Sequence, residues 1–147
     1  MESLDIAPYQ DSLEQIFSDH SVVLAYLFGS QAEGKAGPLS DVDIAVLLSS
    51  EASREEWSQI QLDLMGELMH LFHRDDVDVI ILNQARPVIA HQVAQYGRVL
   101  YQAMPGMRAD FEVAALRQYV DTEPLRRIQD HCLFKRVEEY RAAAQEV

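Results

Sequence analysis

The residues best suited to chemistry lie in the first half of the chain. Gly29-Ser30 ends one apolar run, and Asp41-Val42-Asp43 opens another, both within "FGSQAEGKAGPLSDVDIAVL" (28–47). A further acidic stretch, "DVDVIIL" (76–82), repeats the pattern with Asp76 and Asp78. A carboxylate at the head of a buried strand carries a desolvation cost, so the repetition calls for a chemical reason. Side chains alternate along a strand. Asp41 and Asp43 therefore share one face, and Val42, Ile44 and Val46 share the other. Asp78 and Asp76 share a face in the same way, opposite Val77, Val79 and Ile81. If the two strands are neighbours, one carboxylate of the second joins Asp41 and Asp43. Three carboxylates so close repel and do not all stay ionised unaided. Divalent cations relieve that repulsion. Magnesium takes carboxylate and phosphate oxygens together while keeping some waters, and two such ions can clamp an in-line displacement at phosphorus.

The upstream half of the motif suits the other reactant. Gly29 closes a strand and allows a phosphate chain to come near the backbone. Ser30 would begin a turn whose N–H groups attract anions, with its hydroxyl as a further donor. One half of the stretch would thus hold a triphosphate, and the other the metals that bind it.

The surrounding elements must bring these pieces together. "PYQDSLEQIFSDH" (8–20) sets Leu13, Ile16 and Phe17 on one helical face, with Pro8 near its start. "SVVLAYLFG" (21–29) is a continuous apolar strand and "AEGKAGPLS" (32–40) a loop. "DVDIAVLLS" (41–49) is the second strand. "SREEWSQIQLDLMGELMHLFHR" (53–74) is an amphipathic helix with a stripe of Trp57, Ile60, Leu64, Leu68, Leu71 and Phe72. Ser53 and Glu56 form a capping-box pattern at its start. Met65 and Met69 extend the stripe and read as core. The third strand (76–82) is followed by a short helix, "RPVIAHQVAQYG" (86–97), with Gly97 as its C-cap. "RVLYQ" (98–102) reads as an edge strand. From Pro105 the pattern is helical, broken near Pro124, and "RRIQDHCLFKRVEEYRAAA" makes a last helix. The expected class is α/β, a small mixed sheet backed by helices on one side. Residues 1–104 would form the catalytic domain, and 105–147 a helical extension of the same compact unit.

Composition narrows the function. The chain has 147 residues, enough for one domain. Its single cysteine, Cys132, has no internal disulfide partner and reads as packing within an amphipathic helix. No apolar run is long enough for a membrane span, and "MESLDIAPYQ" lacks the character of a signal peptide. The cytoplasm is the expected compartment. With 24 acidic and 12 basic residues the net charge is −12. This disfavours direct nucleic-acid binding, which relies on basic surface, and favours cations and basic partners. His70 and His73 lie at the end of the long helix, where they favour its dipole; as a lone pair they make a poor metal site. Tyr96, Tyr101 and Tyr119 read as ordinary amphipathic positions. Asp76 lies nearer its strand's start than Asp78 and reads as solvent-exposed.

Gly29-Ser30 followed by Asp41-Val42-Asp43, with Asp78 on a later strand, resembles the signature of the DNA polymerase β-like nucleotidyltransferases. Spacing, strand context and third acid agree, where a lone D-x-D would say little. The small size, the run "LNQARPVIAHQVAQYGRVLY" (82–101) and, more loosely, "FEVAALRQYVD" (111–121) resemble the minimal nucleotidyltransferases, antitoxins paired with HEPN ribonuclease toxins. The resemblance implies AMP transfer from ATP to a tyrosine hydroxyl of a cognate HEPN toxin, which silences it, within a hetero-oligomer. It implies that Asp41 and Asp43 bind two Mg2+ ions, and that Asp78 binds the catalytic one and helps activate the acceptor. It places the nucleotide phosphates at Gly29 and Ser30. Relatives often carry two arginines in a "GSRARG"-like loop. Here "GSQAEG" has Gln31 and Glu33 instead, and the positive charge would come from Lys35 or from a partner chain. Two other readings stand beside this one: an antitoxin that blocks its toxin by binding alone, and a transferase acting on a small cationic substrate such as an aminoglycoside.

Overall fold

The computed structural model describes residues 4–29 and 41–145. Ser30, Gln31, Glu33 and Lys35 of the expected phosphate loop lie outside the described residues. A single turn at Ala7–Tyr9 leads into α1 (Gln10–Asp19), then β1 (Val22–Phe28) and β2 (Val42–Leu48). A turn at Arg54–Glu56 precedes α2 (Trp57–Phe72), followed by β3 (Val77–Ile81) and α3 (Pro87–Tyr96). The chain continues through β4 (Arg98–Gln102), α4 (Met107–Asp121) and α5 (Glu123–Gln145). The strands form one mixed sheet in the order β3-β2-β1-β4. β1 is antiparallel to both β2 and β4, and β2 is parallel to β3. A parallel pair needs a crossover, and α2 supplies it.

Helices cover both faces of the sheet, not one as the sequence pattern suggested. Leu13 and Phe17 of α1 and Leu64, Leu68 and Phe72 of α2 are buried with Ala25, Leu27, Val42, Ile44, Val46 and Val79. On the opposite face Leu24, Tyr26 and Ala45 pack with Val93 of α3, and Phe111 of α4 closes over them. The reason is legible in β1, whose unbroken apolar run is what a strand buried on both faces needs. The Met65 and Met69 side chains pack against the first cluster, as their spacing implied.

Two close fits tie the second layer down. A Cβ on Gly97 would lie 2.4 Å from the Val93 carbonyl oxygen and 3.0 Å from the Tyr26 ring. Glycine is thus required there for space, in an extended backbone, not for a left-handed cap. The Tyr26 hydroxyl donates to Glu112 Oε1 at 3.0 Å, and Arg108 Nε donates to the same oxygen at 2.8 Å. Burial, and then that hydrogen bond to Glu112, raises the Tyr26 pKa and keeps the phenol protonated.

The C-terminal helices break at Thr122, beside Pro124. Tyr119 is held between His91, stacked at 3.9 Å, and the Arg126 guanidinium, 3.8 Å from its ring centre. This sandwich joins α3, α4 and the start of α5. Beyond it, α5 buries no residue. Cys132 is exposed, not packed as expected, because none of the described residues buries its helix. Leu125, Ile128, Leu133, Phe134 and Tyr140 are exposed with it.

The start and end of α2 also depart from the pattern. Ser53 is extended and makes no side-chain capping bond, because a 3-10 turn intervenes before Trp57. At the other end His73 adopts a left-handed conformation with φ 53°. The His73 N–H donates to the His70 carbonyl, and the Arg74 N–H to Met69 at 3.1 Å. This is a Schellman ending, built on histidine where glycine is the usual choice. A non-glycine residue there carries strain. Replacing His73 with Gly is expected to stabilise the protein by roughly 0.5–1 kcal/mol, and with Val to destabilise it by about 1–2 kcal/mol. Urea unfolding of the two variants reads both effects.

Candidate active site

The sheet's register brings the acids together. Asp43 on β2 lies directly beside Asp78 on the parallel β3, one residue beyond the Val42–Val77 pair. On its other side Asp43 is paired with Phe28, the last residue of β1. Gly29 follows at once with φ +75°, and a Cβ there would come within 2.8 Å of Asp43 Oδ2. Glycine is therefore favoured by conformation, and the end of β1 turns against the Asp43 carboxylate, which would have to shift for any side chain here. Asp41 precedes β2, two residues from Asp43, and is exposed, as is Asp78; Asp43 is half-buried.

The electrostatics follow from that placement. Burial raises the Asp43 pKa above the ordinary carboxylate value, and the charges of Asp78 and then Asp41 raise it further. A carboxylate so placed, with like charges beside it, is an all-oxygen donor set short of a cation, which is what magnesium binds. Among the described residues, however, no three His, Cys, Asp or Glu side chains are gathered as a formed metal cage. The register sets Asp43 and Asp78 side by side, with Asp41 just before β2; like charges alone keep such groups apart.

Asp76 departs from expectation. It is not free in solvent but held at both oxygens by Arg74, Nε to Oδ1 at 2.7 Å and Nη2 to Oδ2 at 2.6 Å. The hydrogen bonds from Arg74 lower its pKa. Nothing in the sequence pattern announced this pair; only the turn after α2 brings Arg74 back onto Asp76. His70 and His73, both exposed, sit with ring centres 6.3 Å apart.

The family model described as polymerase beta, nucleotidyltransferase matches residues 11–105, well over half of the chain. The chain belongs to that family. Two curated relatives are each named protein adenylyltransferase MntA. One, from Aphanizomenon flos-aquae (strain 2012/KM1/D3), is 36% identical over 90 residues, 57% of this chain and 59% of its own length. The other, from Shewanella oneidensis, is 32% identical over 94 residues, 64% of this chain and 61% of its own. The chain thus spans about three fifths of the curated relatives it matches. Among solved structures, a toxin-antitoxin with AMP-PNP superposes with a TM-score of 0.72 at 24% identity, over 85% of this chain and 98% of that one. A complex of tri-AMPylated Shewanella oneidensis HEPN toxin with MNT antitoxin gives 0.69 at 22% identity, over 88% and 99%. These likenesses bear out the nucleotidyltransferase fold, with its mixed four-stranded sheet and helical C-terminus.

The raised Asp43 pKa has a consequence for stability. A carboxyl whose folded pKa exceeds its unfolded value, about 3.9, contributes stability below that value and loses it as pH rises through the folded pKa. At neutral pH without divalent cations, Asp43→Asn should therefore be more stable than the parent, by a few tenths of a kcal/mol up to about 1 kcal/mol for a partly solvated group. The gap should close near pH 3, as thermal unfolding across pH would show. Gly29→Ala should instead lose about 1–2 kcal/mol from its left-handed backbone alone.

Proposed function

We propose that this protein transfers AMP from ATP to a tyrosine hydroxyl of a cognate HEPN-domain ribonuclease toxin, and so silences it. The observation that carries the reading is the in-register pair of Asp43 and Asp78, with Gly29 turned against Asp43, in a polymerase β-type nucleotidyltransferase. The relatives named protein adenylyltransferase and the solved toxin-antitoxin complexes, one of them an MNT antitoxin with an AMPylated HEPN toxin, support AMP transfer and the partner.

Asp41, Asp43 and Asp78 would hold two Mg2+ ions, which neutralise the triphosphate and lower the pKa of the attacking hydroxyl. The acceptor oxygen bonds to the α-phosphorus as the bond from that phosphorus to the β-phosphate oxygen breaks and pyrophosphate leaves. Asp78, exposed at the start of β3, would bind the catalytic ion and help to draw off the hydroxyl proton. Gly29, Ser30 and Lys35 would hold the phosphates. Tyr26, although close in sequence, is a poor acceptor: it is fully buried and its hydroxyl is committed to Glu112. The net charge of −12 would draw in a basic ribonuclease. No helix of the described residues is long and apolar enough to cross a membrane, consistent with a partner met in the cytoplasm.

With ATP and Mg2+, intact mass spectrometry of the co-expressed HEPN toxin should show one or more added AMP units and a matching fall in ribonuclease activity. The Asp41→Asn/Asp43→Asn variant should lose at least about 10²-fold in transfer rate. Inhibition without added mass, equally strong in that variant, would give the function to binding alone.

A further inference from the structure

The two D-V-D segments supply four aspartates, yet they are not equivalent. Among the described residues Asp41, Asp43 and Asp78 form no salt bridge, whereas Asp76 is gripped at both oxygens by Arg74. Arg74 reaches that position because α2 ends in the turn at His73, where the Arg74 N–H is bonded to the Met69 carbonyl. The backbone carbonyl of Asp76 in turn accepts the Val42 N–H at 2.9 Å. That bond is the first rung joining β2 to β3, and Asp41 is the next residue.

We propose that Arg74 is a positioning residue of the acid cluster: by occupying both oxygens of Asp76 it withholds the fourth aspartate from cations and pins the strand junction beside Asp41. The inference rests on Asp41, Asp43 and Asp78 being the metal carboxylates. Two physical points support it. A planar guanidinium can fill both oxygens of one carboxylate, and lysine, a single point donor, cannot. An Asp76 carboxylate whose charge is compensated by Arg74 is also a poor competing site for divalent cations two residues from Asp78. The hydrogen bonds to Asp76 are the main reason the Arg74 pKa is raised, and the Asp41 charge adds to it.

The test needs neither toxin nor turnover. Mn2+ binding is measured by electron paramagnetic resonance, and exchange of the Val42 amide by NMR, on the full chain. Arg74→Gln releases Asp76, so Mn2+ should bind several-fold more tightly or at a higher stoichiometry, and the Val42 amide should exchange about tenfold faster or more. Adding Asp76→Asn to that variant should return Mn2+ affinity to the parental value while Val42 exchange stays fast. Arg74→Lys keeps the charge without the fork; its Mn2+ affinity should stay near parental while Val42 exchange rises. It also serves if Arg74→Gln fails to fold. Parental Mn2+ binding and Val42 exchange in Arg74→Gln, or parental Val42 exchange in Arg74→Lys, would overturn the proposal. Undiminished Mn2+ binding by Asp43→Asn would instead overturn the metal reading on which it rests.

Discussion

Crowded negative charge is the constraint on which the rest of this structure depends. Two neighbouring strands begin with carboxylates in register, Asp43 beside Asp78, with Asp41 just outside. In an apolar domain this arrangement is unfavourable by itself, and the raised Asp43 pKa records the penalty. The proposed function gives it a reason, since cations and phosphates would offset the repulsion. The parallel pairing of β2 and β3 is what forces it: an antiparallel pair would set the second acid at the far end of the neighbouring strand.

The remainder of the fold keeps that strand edge in place. The sheet is buried on both faces, by α1 and α2 below and by α3 and α4 above. Rigid strands hold a site more exactly than loops do: Asp43 has a strand on each side, and Asp78 is held by its pairing with β2. The crossover helix α2 has a second task. Its left-handed ending directs Arg74 onto Asp76, so the same helix that allows the parallel pair also neutralises the spare acid it creates.

The α5 helix stands apart from this economy. It buries nothing and exposes Leu125, Ile128, Leu133, Phe134 and Tyr140, more apolar surface than a solvated helix needs. The sandwich of His91, Tyr119 and Arg126 fixes its first turn to the body. Gln129 and Asp130 still line a pocket with residues 86–89 at the start of α3, and from Arg127 onward the described side chains of the helix are exposed. Helical periodicity alone could not reveal this, since an amphipathic pattern reads the same whether its apolar face meets the chain's own core or nothing at all.

The sequence by itself determined the order and type of the elements, the shared face of Asp41 and Asp43, and the chemistry that such acids and Gly29-Ser30 imply. Those are local properties: strand alternation, helical spacing, turn residues and the cost of buried charge act over a few positions. Even the double burial of β1 was present in its unbroken apolar run. Only the tertiary structure decided which carboxylates face one another, because Asp43 and Asp78 are separated by a whole helix and meet through strand register. It also decided that Asp76 belongs to Arg74, through a left-handed turn at a histidine where propensity favours glycine. It left Cys132 in solvent, because burial depends on which surfaces of the chain meet, and pattern along one helix carries no record of that.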